Sequence, residues 1–391
     1  MNEKIRQLLK NSASGNAMLH AQSYTNPDHH DLEMALLFEK SWMAIGFISE
    51  LPKPGMAKPM NALGKSLLVT RDQNDQFHVF ANVCRHRGHV LLQETCHKRK
   101  LLTCPYHAWS YDLGGRFVAA PFWDGTENSS PSPQEKEKMG LLPIAFEIWY
   151  DILFVNFSGD AEPFEKHILR LQTRWQPQRP SSLLRCFYQK SYSISGNWKL
   201  VAENFLDNYH LPWIHPEVGN SMEASLGLEV ENQQLAQHII GFTHPTAGKE
   251  KSKTEKPLPC WPGQQGTNQA LSIRQDLFFI FPNTCFVMEG NYLWSMILMP
   301  QSVERCEEKL ALYVITDKAL SNEFAQSRNQ LATVIDRINQ QDASVIRQLQ
   351  LGRQLNAASQ GIFNPRHDQV GQWFHQNLSE LILSRSETNK K

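Results

Sequence analysis

The chain has 391 residues, enough for two domains. Its 39 basic residues balance its 39 acidic ones, which removes the electrostatic case for a nucleic acid or an anionic membrane as partner. No apolar run approaches a transmembrane span, and residues 1–10 mix charges of both signs with no apolar stretch after them, so neither a membrane helix nor a secretory signal is expected.

In chain order, residues 1–41 read as a helical arm, most regular at 31–37. From 42 to 157 short β-rich runs dominate, at 66–71, 77–82 and 152–157, with Gly, Pro, Asn and Asp between them. Two loops there carry the first chemical signal: Cys84-x-His86, a gap of seventeen residues, then Cys104-x-x-His107. Two cysteines and two histidines can hold the two irons of a Rieske [2Fe-2S] cluster, the histidines raising its potential. Gly88 and Pro105 suit the tight turns such loops need. Cys₂His₂ is also a zinc set, but zinc modules group like ligands together, whereas each loop here carries one of each. His89 is left spare, and Cys96 with His97 falls inside the gap, so that pair is set aside. The stretch 125–137 is polar and Pro/Ser-rich and reads as a surface loop.

Residues 158–391 read as a third segment, a mixed domain opened by a helical linker at 163–175. Strands are expected at 186–193, 228–243, 276–281, 285–289, 292–299 and 309–315, with Gly290-Asn291 as a hairpin turn, and a long helix at 321–355. Trp198, Val201, Phe205 and Tyr209 recur at helical spacing, which predicts an amphipathic helix over 198–209. His210 and His215 follow it. Five residues apart they would diverge on one helix, so a break is required, assigned to Pro212, while Pro216 pushes His215 toward extended backbone. Such a pair suits a mononuclear iron that also has a carboxylate ligand. The segment 244–268, rich in Lys, Pro and Gly, reads as a lid or a passive insertion. Cys96, Cys186, Cys260, Cys285 and Cys306 are odd in number and scattered, as free thiols in a reducing cytoplasm would be.

With both ligand sets in view, the chain resembles the alpha subunits of Rieske-type non-haem iron oxygenases, which include ring-hydroxylating dioxygenases and N-demethylating monooxygenases. The likeness runs from Leu37 and Trp42 through the two loops and Asn197, Trp198, Lys199, Glu203, Asn204, Asp207, His210 and His215 to the last helix. It implies an α+β fold, a β-rich Rieske domain followed by an antiparallel sheet with helices of the helix-grip kind. It implies a [2Fe-2S] cluster on Cys84, His86, Cys104 and His107, and a mononuclear ferrous ion on His210, His215 and an aspartate of the long helix. Asp342 is the candidate, with Asp336 as fallback; where the family more often has Glu-Asp, this chain has Gln341-Asp342. Asp207 matches the aspartate that bridges an iron histidine to a neighbouring subunit's Rieske histidine. The resemblance further implies a homotrimer and a separate flavin or iron–sulfur reductase that delivers electrons from NAD(P)H, directly or through a ferredoxin. This chain shows no Gly-rich nucleotide fingerprint of its own.

The expected activity is oxygen activation and oxidation of a small organic molecule. Phe205, Leu206, Trp213, Phe279, Met288 and Trp294 are candidate apolar pocket residues, with Glu289 as a counter-charge for a cation. That lining suits a methylated or quaternary amine, toward which the reading leans, or an aromatic ring. A rival from another class is a non-catalytic electron carrier or redox sensor with the cluster alone, which would leave more than half of the chain without a task.

Overall fold

The structure is a computed structural model describing all residues except 16, 128, 176–180, 216–229, 246–273, 290–291, 356–359 and 389–391. The Gly290-Asn291 turn and nearly all of the 244–268 segment therefore lie outside the described residues. The chain divides into two compact units: residues 44–161, and residues 1–43 together with 162–391.

The 44–161 unit is built on three three-stranded antiparallel sheets. Met56–Ala62 and Lys65–Arg71 pair through a two-residue turn in which Leu63 (φ 53°) and Gly64 (φ 71°) are both left-handed, the geometry that matches strand twist. Leu101–Thr103, Ser110–Asp112 and Phe117–Ala119 form the sheet beside the second ligand loop. Leu68, Phe80, Leu91, Leu102, Tyr111, Phe117 and Leu141 form one apolar cluster, and Cys84 and Cys104 are part of it. Within the stretch expected to be loop, Pro133–Lys138 is a short helix, because Ser132 and Glu135 close a reciprocal capping box.

The second unit is organised by a seven-stranded antiparallel sheet, in the order Arg185–Ile194, Arg305–Val314, Tyr292–Ser302, Thr284–Glu289, Arg274–Ile280, Ile239–Pro245, Glu231–Ala236. Its central strands are buried on both faces because both are covered. On one face Phe278 and Phe286 meet Trp175 of the helix Phe164–Trp175. That helix is more than a linker: Arg174 makes a two-pronged contact with Asp276 at 2.8 Å per prong, and Trp175 Nε1 donates to the same carboxylate at 2.9 Å. On the other face Trp294 meets Phe205 and Phe279 meets Phe374, under the helices Trp198–Phe205, Ala325–Arg353 and Gln369–Thr388.

The arm packs into this unit. Leu19 N donates to His375 Nδ1 at 3.0 Å, Tyr24 Oη to Glu203 at 2.6 Å, and the fully buried Lys199 ammonium sits 2.8 Å from Glu33. Trp198 Nε1 donates to the same Glu33 carboxylate at 2.8 Å. Two charges with no access to water persist only when paired and hydrogen-bonded in this way. Gln350 on the long helix accepts from Asn197 N at 2.9 Å and donates to Tyr24 O at 3.1 Å, so one polar belt ties the arm to both helices that lead to the site.

Glu308 breaks the pattern. It lies on the helix-facing side of its strand, opposite Tyr192 and Leu298, and its buried Oε1 finds no hydrogen-bond partner. Burial, with the charge of Asp342 adding to it, pushes its carboxyl up to about 8. A carboxylic acid held neutral in the fold but ionised when unfolded loses stability as pH rises from its unfolded value of 4.5 through about 8. Glu308→Gln removes this cost. Thermal unfolding should show variant and wild type alike below pH 4.5, the variant pulling ahead up to about pH 8 and the gap constant above it.

Candidate functional sites

The two loops of the 44–161 unit share one backbone geometry. Cys84 N donates to His89 O at 2.8 Å and Gly88 N to Cys84 O at 3.1 Å; in the second loop Cys104 N donates to Trp109 O at 2.8 Å and Ala108 N to Cys104 O at 3.0 Å. The fourth residue after each cysteine is left-handed, Gly88 at φ 74° and Ala108 at φ 57°. Glycine adopts this freely and alanine at a cost, so tertiary context holds the second turn. Pro105 fits because its position donates no bond in this pattern.

These turns place Cys84 and Cys104 in the core and leave His86 and His107 exposed, their rings 4.7 Å apart. Burial and the neighbouring Cys84 push the Cys104 thiol up, and no disulfide joins the pair. The ligand atoms of no three of the four come within 4.8 Å of one another, so the set does not converge on one ion. A binuclear cluster, sulfur ligands on one iron and nitrogen ligands on the other, fits that spacing better than zinc. Tyr111, buried in the core, has its hydroxyl 3.3 Å from Cys84 Sγ while accepting from Arg85 N at 3.0 Å.

In the second unit Asn197 caps the helix Trp198–Phe205, its side chain accepting from Lys199 N. The helix stops at Phe205, short of the expected residue 209, and Tyr209 is exposed. Asp207 accounts for the break: its Oδ1 accepts from Tyr209 N at 2.6 Å, a side-chain turn that competes with the helix. Pro212 does not break the helix either. It lies in the first turn of a new short helix, Leu211–Ile214, where a missing N–H costs nothing. His210 precedes that helix and His215 ends it at φ −120°, ψ 66°, so the two imidazoles converge with ring centroids 5.3 Å apart.

Asp342 arrives from the long helix and closes the group. Its Oδ1 lies 3.4 Å from His210 Nε2 and 3.0 Å from His215 Nε2, and Asn204 Nδ2 donates to it at 3.3 Å. Each imidazole has an outer partner: Asp207 Oδ2 at 3.1 Å from His210 Nδ1, and Gln341 Oε1 at 2.7 Å from His215 Nδ1. Burial opposes charge on His210, yet its bonds with Asp207 and Asp342 outweigh it and lift the imidazole to about 9. Asp342 is held below the usual carboxylate range by the two histidines despite its own burial. Two nitrogens and a carboxylate on one side, each oriented from behind, form a three-ligand face for a metal with positions left open.

The fallback Asp336 is engaged elsewhere, with Lys190 at 2.5 Å and Tyr192 at 2.6 Å. Among the described residues one other group has ligand atoms this close, Glu162, His167 and His238. Its imidazoles stack 4.3 Å apart and within 7° of parallel, so no ion can lie in the plane of both rings.

The expected pocket residues separate. Phe205, Phe279 and Trp294 belong to the interface between the sheet and the ligand-bearing helices. Met288 does not: strand alternation puts it with Phe286 on the opposite face. Leu206 is buried and Trp213 is 69% exposed. Glu289 accepts from Gln275 Nε2 and Tyr292 Oη, both at 2.6 Å and both on Oε2. Sequence reasoning did not find the hydrogen-bonding roles of Asn204, Gln341 and Tyr111. Only the position of Gln341 beside Asp342 and of Asn204 within the histidine motif hinted at them.

One unit thus carries a Cys/His loop pair and the other a two-histidine, one-carboxylate face. Residues 182–384 match the family of the ring hydroxylating alpha subunit (catalytic domain), and residues 41–129 match the Rieske [2Fe-2S] domain. The chain belongs to this ring-hydroxylating alpha-subunit family, whose cofactors are a [2Fe-2S] cluster and a mononuclear iron.

It is 27% identical over 203 residues to the carnitine monooxygenase oxygenase subunit of Acinetobacter pittii, covering 51% of this chain and 53% of that one. The match thus spans about half the length of that relative. Choline monooxygenase of Beta vulgaris is 22% identical over 368 residues, 92% of this chain and 76% of that one. In fold, naphthalene 1,2-dioxygenase from Rhodococcus sp. superposes with a TM-score of 0.78 at 19% identity, over 98% of this chain and 99% of the other.

Tyr111→Phe isolates one tuning contact. With cluster content unchanged, the reduction potential should fall by about 40 mV, the one-electron equivalent of a ~1 kcal/mol hydrogen bond, read by spectroscopically monitored redox titration.

Proposed function

We propose that this chain is the terminal oxygenase component of a multicomponent system that oxidises a small methylated or quaternary amine. The observation that carries the reading is the presence of both ligand sets on one polypeptide. An electron carrier has use for the loops alone, and nothing in its task calls for a convergent His210, His215 and Asp342. The amine is favoured by the carnitine and choline monooxygenase relatives.

The cluster, when bound, stores one electron at a time, and the mononuclear iron supplies the orbitals that activate dioxygen. The chain's own residues do the rest. Cys84 and Cys104, in the dry core, and His86 and His107, at the surface, would hold the cluster. His210, His215 and Asp342, whose ligand atoms lie within 4.8 Å of one another, would hold the iron. Asp207 and Gln341 keep both Nδ1 atoms occupied, so that each Nε2 is free to ligate. Phe205 and Trp294, ring against ring, are the aromatic groups offered to a methylated cation or an aromatic ring, while Phe279 is wholly buried behind them.

The remaining parts of the reading are a separate NAD(P)H-dependent flavin or iron–sulfur reductase, a head-to-tail homotrimer and a cytoplasmic location. The exposed His86 and His107, and the partly exposed Asp207, suit electron passage between copies of the chain. Cys84, Cys96, Cys104, Cys285 and Cys306 are free thiols, as a reducing compartment would leave them, and no helix among the described residues is long and apolar enough to cross a membrane. Ring hydroxylation is the second reading, favoured by the aromatic side chains at the interface between sheet and helices.

Three measurements test this. Purified protein should contain about three irons and two sulfides per chain, and Asp342→Ala about two irons with an intact cluster spectrum. Oxygen uptake with a reductase should be matched by formaldehyde when a methylated amine is the substrate, and by a hydroxylated ring without formaldehyde under the second reading. Asp207→Ala should keep both centres yet slow cluster-to-iron electron transfer on the order of 100-fold or more, measured by single-turnover kinetics; an unimpaired rate removes the bridging role.

A further inference from the structure

The two histidines of the triad are backed differently. His210 has a carboxylate behind it, one-third exposed; His215, itself 1% exposed, has an amide, and at 2.7 Å against 3.1 Å that amide makes the shorter contact. A neutral imidazole can direct a lone pair from Nε2 only if its proton sits on Nδ1, and Gln341 Oε1 is the acceptor placed to hold it there. With the amide reversed, its NH₂ would face Nδ1, the imidazole proton would move to Nε2, and ligation would be lost.

Charge distinguishes this residue from an acid at the same place. Asp342 and Asp207 together bring two negative charges to the site, which balances a divalent ion. A third carboxylate would leave a net negative charge in a largely buried setting, relieved when the metal takes on an additional positive charge. Gln341 supplies the same acceptor geometry without that charge.

We propose that Gln341 is a positioning residue for the mononuclear site: it fixes the ligating tautomer of His215 and, being uncharged, keeps the iron's ferric–ferrous potential higher than a carboxylate there would. The inference rests on the assignment of iron to His210, His215 and Asp342.

Three forms of the holoenzyme, wild type, Gln341→Leu and Gln341→Glu, separate the possibilities. Each is titrated with ferrous ion after chelator removal of the mononuclear iron, and its ferric–ferrous potential is then measured; the cluster's visible spectrum reports folding independently. Gln341→Leu should weaken ferrous binding about 10- to 100-fold with the cluster spectrum unchanged. Gln341→Glu should restore binding and favour ferric over ferrous iron by about tenfold relative to wild type, a shift of about 59 mV downward. A purely structural role predicts no potential shift in the Glu variant. Ferrous binding in Gln341→Leu equal to wild type, or a Glu variant with the wild-type potential, overturns the proposal. A wild type with no mononuclear iron site overturns the triad assignment as well, which tells the two failures apart.

Discussion

Three ligand atoms must meet at one point, and they are delivered by segments more than a hundred residues apart. The meeting point is Asp342 Oδ1, within 3.4 Å of both imidazoles. Without a metal, mutual attraction between imidazole and carboxylate holds the cluster of side chains together; with one, the same lone pairs turn to the ion. Everything that positions the long helix against the segment from Trp198 to His215 therefore acts on the site. Asn204 does so directly through Asp342, and Gln350 does so from more than two turns further along, through Asn197.

This arrangement is supported by polar groups placed where water is absent. The Glu33–Lys199 pair is expensive to bury and is stabilised by its directed partners, above all Trp198 Nε1. Such contacts specify one alignment more sharply than an apolar seam, since a shift of a single residue would strand both charges. Glu308 is the opposite case, a carboxyl buried without full compensation and kept neutral by its surroundings. One pair fixes geometry, and the other group costs stability beside the metal site.

Ligand identity was legible in the sequence because it depends on residue type and spacing, and the loops around Cys84 and Cys104 state both. Most of the expected strands were legible to within a few residues because their alternation or apolarity is local, but the run 228–243, expected as one strand, is a hairpin of Glu231–Ala236 and Ile239–Pro245 turning at Gln237 and His238. The helix ending at Phe205 was not, since apolar spacing continues to Tyr209 and only the Asp207 side chain decides the stop. Met288 was misplaced for a related reason: a strand buried on both faces has no alternation to show which side a residue takes. Gln341 and Asn204 acquire their roles from contacts across the fold, which spacing along the chain cannot express.

The discontinuity of the second unit orders its assembly. Its first 43 residues reach partners in segments that follow residue 161, among them Lys199, Glu203 and His375. The intervening unit is contiguous and has all its strands at hand once it has left the ribosome. Along the chain every residue of the iron–sulfur scaffold therefore precedes His210, His215 and Asp342, whereas the mononuclear face needs segments from both sides of that scaffold.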